Sequence, residues 1–221
     1  MVERLFIIGA GRHAAVVLDA VRAQGAYEMA GFIDDKLAAG TLVEGEAVLG
    51  PLADLGRLAQ ERGCCTAVVA IGANHMRRRV AETAASLVAD LRWATVIHPS
   101  AVIARGVVIG AGSMIIASAT LNIGTRIGRH CIVNTGSVLD HDTLFGDFAS
   151  TGPGVTLGGN VSLGCGGYIG IGASVKHRVS IGEETVIGAH SLVLADCAPR
   201  SVYYGVPARR IRGRTPEDEY L

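Results

Sequence analysis

One histidine in the chain has carboxylates on both sides: His141, in Val138-Leu139-Asp140-His141-Asp142-Thr143. A carboxylate beside an imidazole orients the ring and favours its protonated form, which makes the ring a stronger base. Such a group suits proton removal from an attacking amine or hydroxyl. A second set of candidates lies near the start, where Gly9-Ala10-Gly11-Arg12-His13-Ala14 forms a G-x-G-x-x-A turn. It stands between a buried-strand pattern over 4–9 and an amphipathic helix pattern running to about Gln24. Glycines there let a ligand approach the backbone, and the helix N-terminus offers free N–H groups to a phosphate. Asp34-Asp35-Lys36 closes the next strand pattern, where ribose hydroxyls are usually bound. Asn74, after the strand pattern 67–71, is placed to cap a further helix. The cysteines Cys64, Cys65, Cys131, Cys165 and Cys197 are odd in number and lack paired spacing, so buried free thiols are expected.

The element that must position His141 is a repeat. Stepping by six from Ile97 to Val193 meets seventeen residues, all aliphatic or Phe except Thr151. Four residues after each comes one of Ala, Val, Ser, Thr, Cys or Gly, without a break. A short fixed period means units that bury their apolar side only by stacking on neighbours. Each hexad is one short strand and a turn, with one large apolar residue pointing inward. Gly follows that residue in nine of the hexads, which suits sharp bends and positive φ.

This pattern resembles the hexapeptide-repeat acyltransferases, whose fold is a left-handed parallel β-helix with three hexads per coil. The handedness comes from the resemblance, since the general crossover rule favours the right hand. Counting coils puts His141 and His177 on one corner, two coils and on the order of 9–10 Å apart. His130 and His190 fall on the other two edges, so no chain gathers three histidines and no metal is expected. Gly159, in Leu157-Gly158-Gly159-Asn160, stacks directly over His141 and leaves an open slot for a thin, extended molecule.

Before the repeat, strand and helix patterns alternate over about ninety residues, which reads as a small open parallel sheet. That is half of a dinucleotide domain, so a nucleotide or nucleotide diphosphate without nicotinamide is the expected ligand. The expected organisation is an α/β Rossmann-like domain over 1–95, the β-helix over 96–198 and a cap and charged tail over 199–221. Zero net charge gives no reason to expect nucleic acid or an anionic membrane as a partner. No apolar run approaches the roughly 20 residues of a membrane span, and the start lacks a signal-peptide pattern, so the cytoplasm is expected.

Taken together, the Gly9–His13 turn, Asp34-Asp35-Lys36, Ile71-Gly72-Ala73-Asn74, the Asn134 segment, His141-Asp142, Gly158-Gly159-Asn160, Gly170-Ile171 and Tyr204–Arg209 resemble the bacterial nucleotide-sugar N-acetyltransferases. Members acting on GDP-perosamine are the nearest likeness, and the UDP-linked bacillosamine-pathway members come second. The resemblance implies acetyl transfer from acetyl-CoA to a sugar 4-amino group for cell-surface polysaccharide (O-antigen) synthesis, with active sites between the chains of a homotrimer. It implies His141 as general base tuned by Asp142. It places acetyl-CoA at Ser150, Gly159, Ile171 and Ala189, and the nucleotide sugar at Gly11, Arg12, His13, Asp34, Asp35, Lys36, Asn74 and Asn134. Ser150 departs from the bacillosamine-type members, which carry a second histidine there. The alternatives are a sugar O-acetyltransferase, a zinc hydratase on the same helix, and a non-catalytic scaffold.

Overall fold

A computed structural model describes residues 2–218. The N-terminal part runs β1 (Glu3–Ile8), α1 (Arg12–Gln24), β2 (Tyr27–Ile33), β3 (Leu42–Val43), β4 (Glu46–Gly50), a short 3-10 turn, α2 (Leu55–Arg62), β5 (Thr66–Val69), α3 (Asn74–Leu87) and β6 (Arg92–Trp93). Its sheet has the order β3-β4-β2-β1-β5-β6, parallel except for β3 on β4. The polar, glycine-rich stretch 37–50 contains the β3–β4 hairpin, and β4 extends the sheet beside β2. Its turn is Glu44-Gly45, both at positive φ (47° and 87°), as a two-residue hairpin turn requires. Glu in place of the usual Asn or Asp hid that signal. The run 91–96 divides between the two parts: Arg92–Trp93 ends the sheet, while Val96 already donates its N–H to the Ser113 carbonyl of the next coil (3.0 Å).

Seventeen two-residue strands follow, from Val96–Ile97 to Leu192–Val193, as a left-handed parallel β-helix. All but the last few pair with the strand one coil later, as Val96–Ile97 does with Met114–Ile115, so the strands form three faces. The first face carries Val96, Met114, Ile132, Ser150, Tyr168 and Val186 outward; the second begins at Val102 and the third at Val108. The second residue of each strand points inward, and Leu121, Val133, Leu139, Leu157 and Ile169 are fully or almost fully buried. Thr151, the one polar member of this column, is buried too. Its hydroxyl lies 3.0 Å from Ser137 Oγ and accepts the Asn134 N–H at 3.0 Å, a satisfied polar rung inside the core.

The glycines after the apolar column have a different cause from the one expected. None of them needs positive φ; a Cβ on Gly128 or Gly158 would lie 2.7 Å from the backbone nitrogen of Asp147 or His177 in the next coil. Close stacking of corners therefore excludes side chains there. Positive φ falls two residues later, at Gly124, His130, Asp142, Asn160 and Arg178 among others.

The N-terminal part sits on the first face. Val17, Leu18 and Val21 of α1 share one buried cluster with Val96, Met114, Ile116 and Ile132. At the other end, Ser201–Gly205 continues the first face and returns as the antiparallel strand Ala208–Gly213. Arg214 is buried and donates to the Glu184 carbonyl (2.7 Å), so the tail to residue 218 packs as a cap on the last coils and is more than a solvated extension. The remainder of the expected tail, 219–221, lies outside the described residues. All five cysteines are free, and Cys165 is exposed, contrary to the expectation of burial. No helix among the described residues is long and apolar enough to cross a membrane.

Candidate active site

His141 occupies the corner joining Val138–Leu139 on the second face to Leu144–Phe145 on the third. Its Nδ1 lies 2.9 Å from Asp142 Oδ2. Asp142 adopts φ 58°, a left-handed conformation that Asp tolerates, and this turns its carboxylate back on to the ring. Asp140 Oδ1 accepts the His141 backbone N–H (2.8 Å) and an N–H of Asn122 (3.0 Å). The hydrogen bond to Asp142 holds the His141 imidazole above its ordinary pKa, with the Asp140 charge adding to the effect. Asp140 itself is held below the usual carboxylate range, chiefly by the His141 N–H.

With Nδ1 engaged, Nε2 is the ring nitrogen left for other partners, and it lies over Gly159. A Cβ on Gly159 would overlap the imidazole, so the slot expected over His141 is taken by the ring itself, and only a glycine lets it lie there. One coil the other way, a Cβ on Gly124 would overlap the Asp142 carboxylate. Both His141 and its carboxylate thus stand against glycines. Gly124, Asn122 and the role of Asp140 went unread in the sequence, although the same eighteen-residue spacing links each to its partner.

The second part of the site is a cleft of about 420 Å³ at the C-terminal ends of β1 and β5, where the strand order reverses. Gly11, Arg12, His13, Asp34, Asp35 and Lys36 all line it, with Gly9 and Gly72. A Cβ on Gly11 or Gly72 would meet nothing within 4 Å, so these glycines leave ligand room rather than relieve a clash. The N-terminus of α1 has no side-chain cap and opens on the cleft. Asp34 is largely spent on the fold: Oδ2 accepts the Ala10 N–H (2.8 Å), and Oδ1 accepts those of Lys36 (2.8 Å) and Leu37 (3.0 Å). Asp35 Oδ1 accepts the Leu52 N–H (2.8 Å). Burial first, then the nearby Arg77 guanidinium, lowers His13 to about 4, so it is a neutral imidazole at pH 7. Arg12 and Lys36 supply the positive charge of the cleft.

Two expected ligand contacts are joined to each other instead. Asn74 does not cap α3; Ala73 is the cap residue, and Asn74 is buried against the β-helix. Its Nδ2 donates to the carbonyls of Gly166 and Gly167 (both 3.0 Å), and its Oδ1 accepts from Ser150 Oγ and Arg77, each at 2.7 Å. Ser150 is 2% exposed, so its hydroxyl is committed beneath α3 and does not face a thioester on the surface. Arg77, missed in the sequence as one of three consecutive arginines, is fully buried and also donates to the carbonyls of Ile71, Gly72, His130 and Phe148. It fastens the cleft wall to two successive coils at one corner of the helix, between the third and first faces. His130 is a packing residue of the same junction, stacked on Phe148 with its ring edge-on to Trp93, and burial pulls it down to about 4.

Asn134, Ile171 and Ala189 lie on the corner between the first and second faces, outside the cleft lining. Asn134 Oδ1 accepts the Thr135 N–H within its own turn (2.8 Å), whereas Ile171 and Ala189 are exposed. Among the described residues, no three of His, Cys, Asp and Glu stand together as a metal-binding group.

Residues 4–84 match the model of the PglD N-terminal domain. The chain is 33% identical over 91 residues to GDP-perosamine N-acetyltransferase of Escherichia coli O157:H7, covering 41% of this chain and 40% of that protein. It is 35% identical over 119 residues to UDP-N-acetylbacillosamine N-acetyltransferase of Bacillus subtilis, covering 52% of each. The aligned segments thus span about half or less of these curated relatives. A solved GDP-perosamine N-acetyltransferase of Caulobacter crescentus, a histidine-to-alanine variant with CoA and GDP-perosamine bound, superposes with a TM-score of 0.90 at 33% identity. That match covers 96% of this chain and 98% of the other. With repeat, cleft and corner histidine in one arrangement over nearly its whole length, the chain belongs to the left-handed β-helix family of nucleotide-sugar N-acetyltransferases.

Proposed function

We propose that the protein transfers acetyl from acetyl-CoA to the 4-amino group of a nucleotide-linked sugar, GDP-perosamine in the first place, in the cytoplasm and for cell-surface polysaccharide. The observation that carries this is the His141 corner: a half-exposed imidazole seated over Gly159, with Nδ1 bound to Asp142 and Nε2 without a hydrogen-bond partner among the described residues. The relatives bound to CoA and GDP-perosamine, or named for that substrate, support the choice of ligands. In the proposed reaction the sugar amine attacks the thioester carbonyl, Nε2 of His141 takes the amine proton, and the C–S bond breaks to release the CoA thiolate. A thiolate leaves readily, so no covalent enzyme intermediate is needed. Holding both substrates in attacking geometry supplies much of the rate.

The site is shared between chains of a homotrimer. His141 lies on the corner between the second and third faces, and the nucleotide cleft rests on the first face, which is the side of a three-sided prism opposite that corner. A sugar held in the cleft therefore meets the histidine of a neighbouring chain. Thiol release from acetyl-CoA, measured with a panel of GDP- and UDP-linked 4-amino sugars, tests the assignment. Wild type is expected to act on one of them, and His141→Asn to lose at least about a hundredfold in turnover while remaining folded. Near-full turnover in that variant at saturating substrate removes His141 from the role of base. Activity confined to UDP-sugars transfers the assignment to the bacillosamine type.

A further inference from the structure

We propose that the exposed turn Lys176-His177-Arg178 binds the phosphates of acetyl-CoA; the ligand, though not the site, rests on the function proposed above. The turn stands on the same corner as His141, two coils toward the C-terminus, because Leu139 pairs with Leu157 and Leu157 with Val175. At ~4.8 Å per strand spacing it lies about 10 Å from the base.

The corner has a direction. On the N-terminal side of His141, the Asp142 carboxylate fills the space over Gly124, and Asp140 adds a second negative charge. On the C-terminal side the His141 ring lies over Gly159, and Gly158-Gly159-Asn160 brings no acid to the corner. A long anionic thioester with its carbonyl near the imidazole therefore extends C-terminally along the corner, away from the acids and past the Gly159 turn. Its pantetheine arm, about 13 bonds from sulfur to the nearer phosphorus, spans ~15 Å at roughly 3.5 Å per three bonds. That covers the 10 Å rise and the outward step to two long cationic side chains.

The turn is fixed and its charges are uncommitted. Arg178 donates its backbone N–H to the Gly159 carbonyl and Lys176 to that of Val193, both at 2.9 Å. All three side chains are exposed, and neither Lys176 nor Arg178 forms an ion pair among the described residues. Other arginines at this end are engaged: Arg200 with Glu183, Arg212 with Asp218, and Arg214 with Glu184. Asp196, one coil further on, spends an oxygen on the Ser180 N–H (2.8 Å). An ammonium and a planar guanidinium side by side suit a diphosphate or a 3′-phosphate.

Calorimetric titration of the full chain with CoA and with pantetheine, which lacks every phosphate, tests the site without any sugar. In the double variant Lys176→Gln, Arg178→Gln, CoA is expected to bind at least tenfold more weakly and pantetheine as in wild type. Added salt is expected to weaken CoA binding to wild type more steeply than to the variant. Equal weakening of both ligands, or unchanged CoA binding, overturns the site. If CoA binding depends on the turn but no amino sugar is acetylated, the acceptor assignment falls and the phosphate site stands. If wild type binds no CoA, both fall.

Discussion

At the scale of single residues, the site is a histidine whose two neighbours divide the work. Asp142 holds Nδ1 and raises the imidazole, while Asp140 holds the backbone N–H and, through Asn122, the preceding coil. A base acts in its neutral form, so the rate rises with pH through the His141 pKa, which lies above the ordinary histidine value near 6.5. In Asp142→Asn the charged acceptor is lost, the protonated imidazole loses its main stabilisation, and the midpoint moves down toward that value. The plateau rate is expected to fall on the order of tenfold or more because the base is weaker. A pH profile of kcat checks both, and a midpoint that stays in place or rises refutes the tuning role. The position of Gly159 over His141 was legible in the sequence because an unbroken period converts residue number into height and face. The leaning of Asp142 over Gly124 was not, because it depends on a positive φ at Asp142 that the period alone does not assign.

At the scale of elements, the important joint is α3 against the first face. The sequence shows α3 as an amphipathic helix and Ser150 as an outward strand residue, but nothing in either pattern says that one covers the other. Docking did what periodicity could not announce: it buried Ser150, took Asn74 from capping, and spent Arg77 on backbone carbonyls of both parts. The β3–β4 hairpin was hidden for a local reason, its Glu44-Gly45 turn. In Asn74→Ala two carbonyls and the Ser150 hydroxyl lose partners inside a closed junction. The expected cost is about 2–4 kcal/mol in stability. Turnover is expected to fall while the cleft still binds the nucleotide sugar, because the cleft lining is intact and only its seat on the helix is loosened. Ser150→Ala removes one of the two donors to Asn74 Oδ1, leaves that of Arg77, and is expected to cost about 1 kcal/mol. Thermal melts and nucleotide-sugar titrations measure these effects. If Ser150→Ala instead raises the KM for acetyl-CoA without touching stability, the hydroxyl is a thioester contact after all.

At the scale of the whole molecule, the fold separates what the reaction must bring together. Three faces and three corners leave the base opposite the face that carries the nucleotide cleft. The cleft wall is fastened by Arg77 to the corner at His130 and Phe148, which argues against a hinge inside one chain closing that gap. In the proposed homotrimer a closed ring of like chains would close it without motion, each cleft meeting the next chain's corner. Two inactive variants separate the halves. His141→Asn removes the base and keeps the cleft. Gly11→Leu keeps the base and projects a side chain into cleft space where a Cβ meets nothing, at a φ of −80° that any residue adopts. Each alone is expected to be nearly inactive. Random assembly of the two in equal amounts gives a site with an intact cleft and an intact neighbouring base one time in four. Recovered turnover per chain is therefore expected at about a quarter of wild type. If base and cleft served each other within one chain, no mixed assembly would contain a complete site, and the mixture would stay as inactive as its parents.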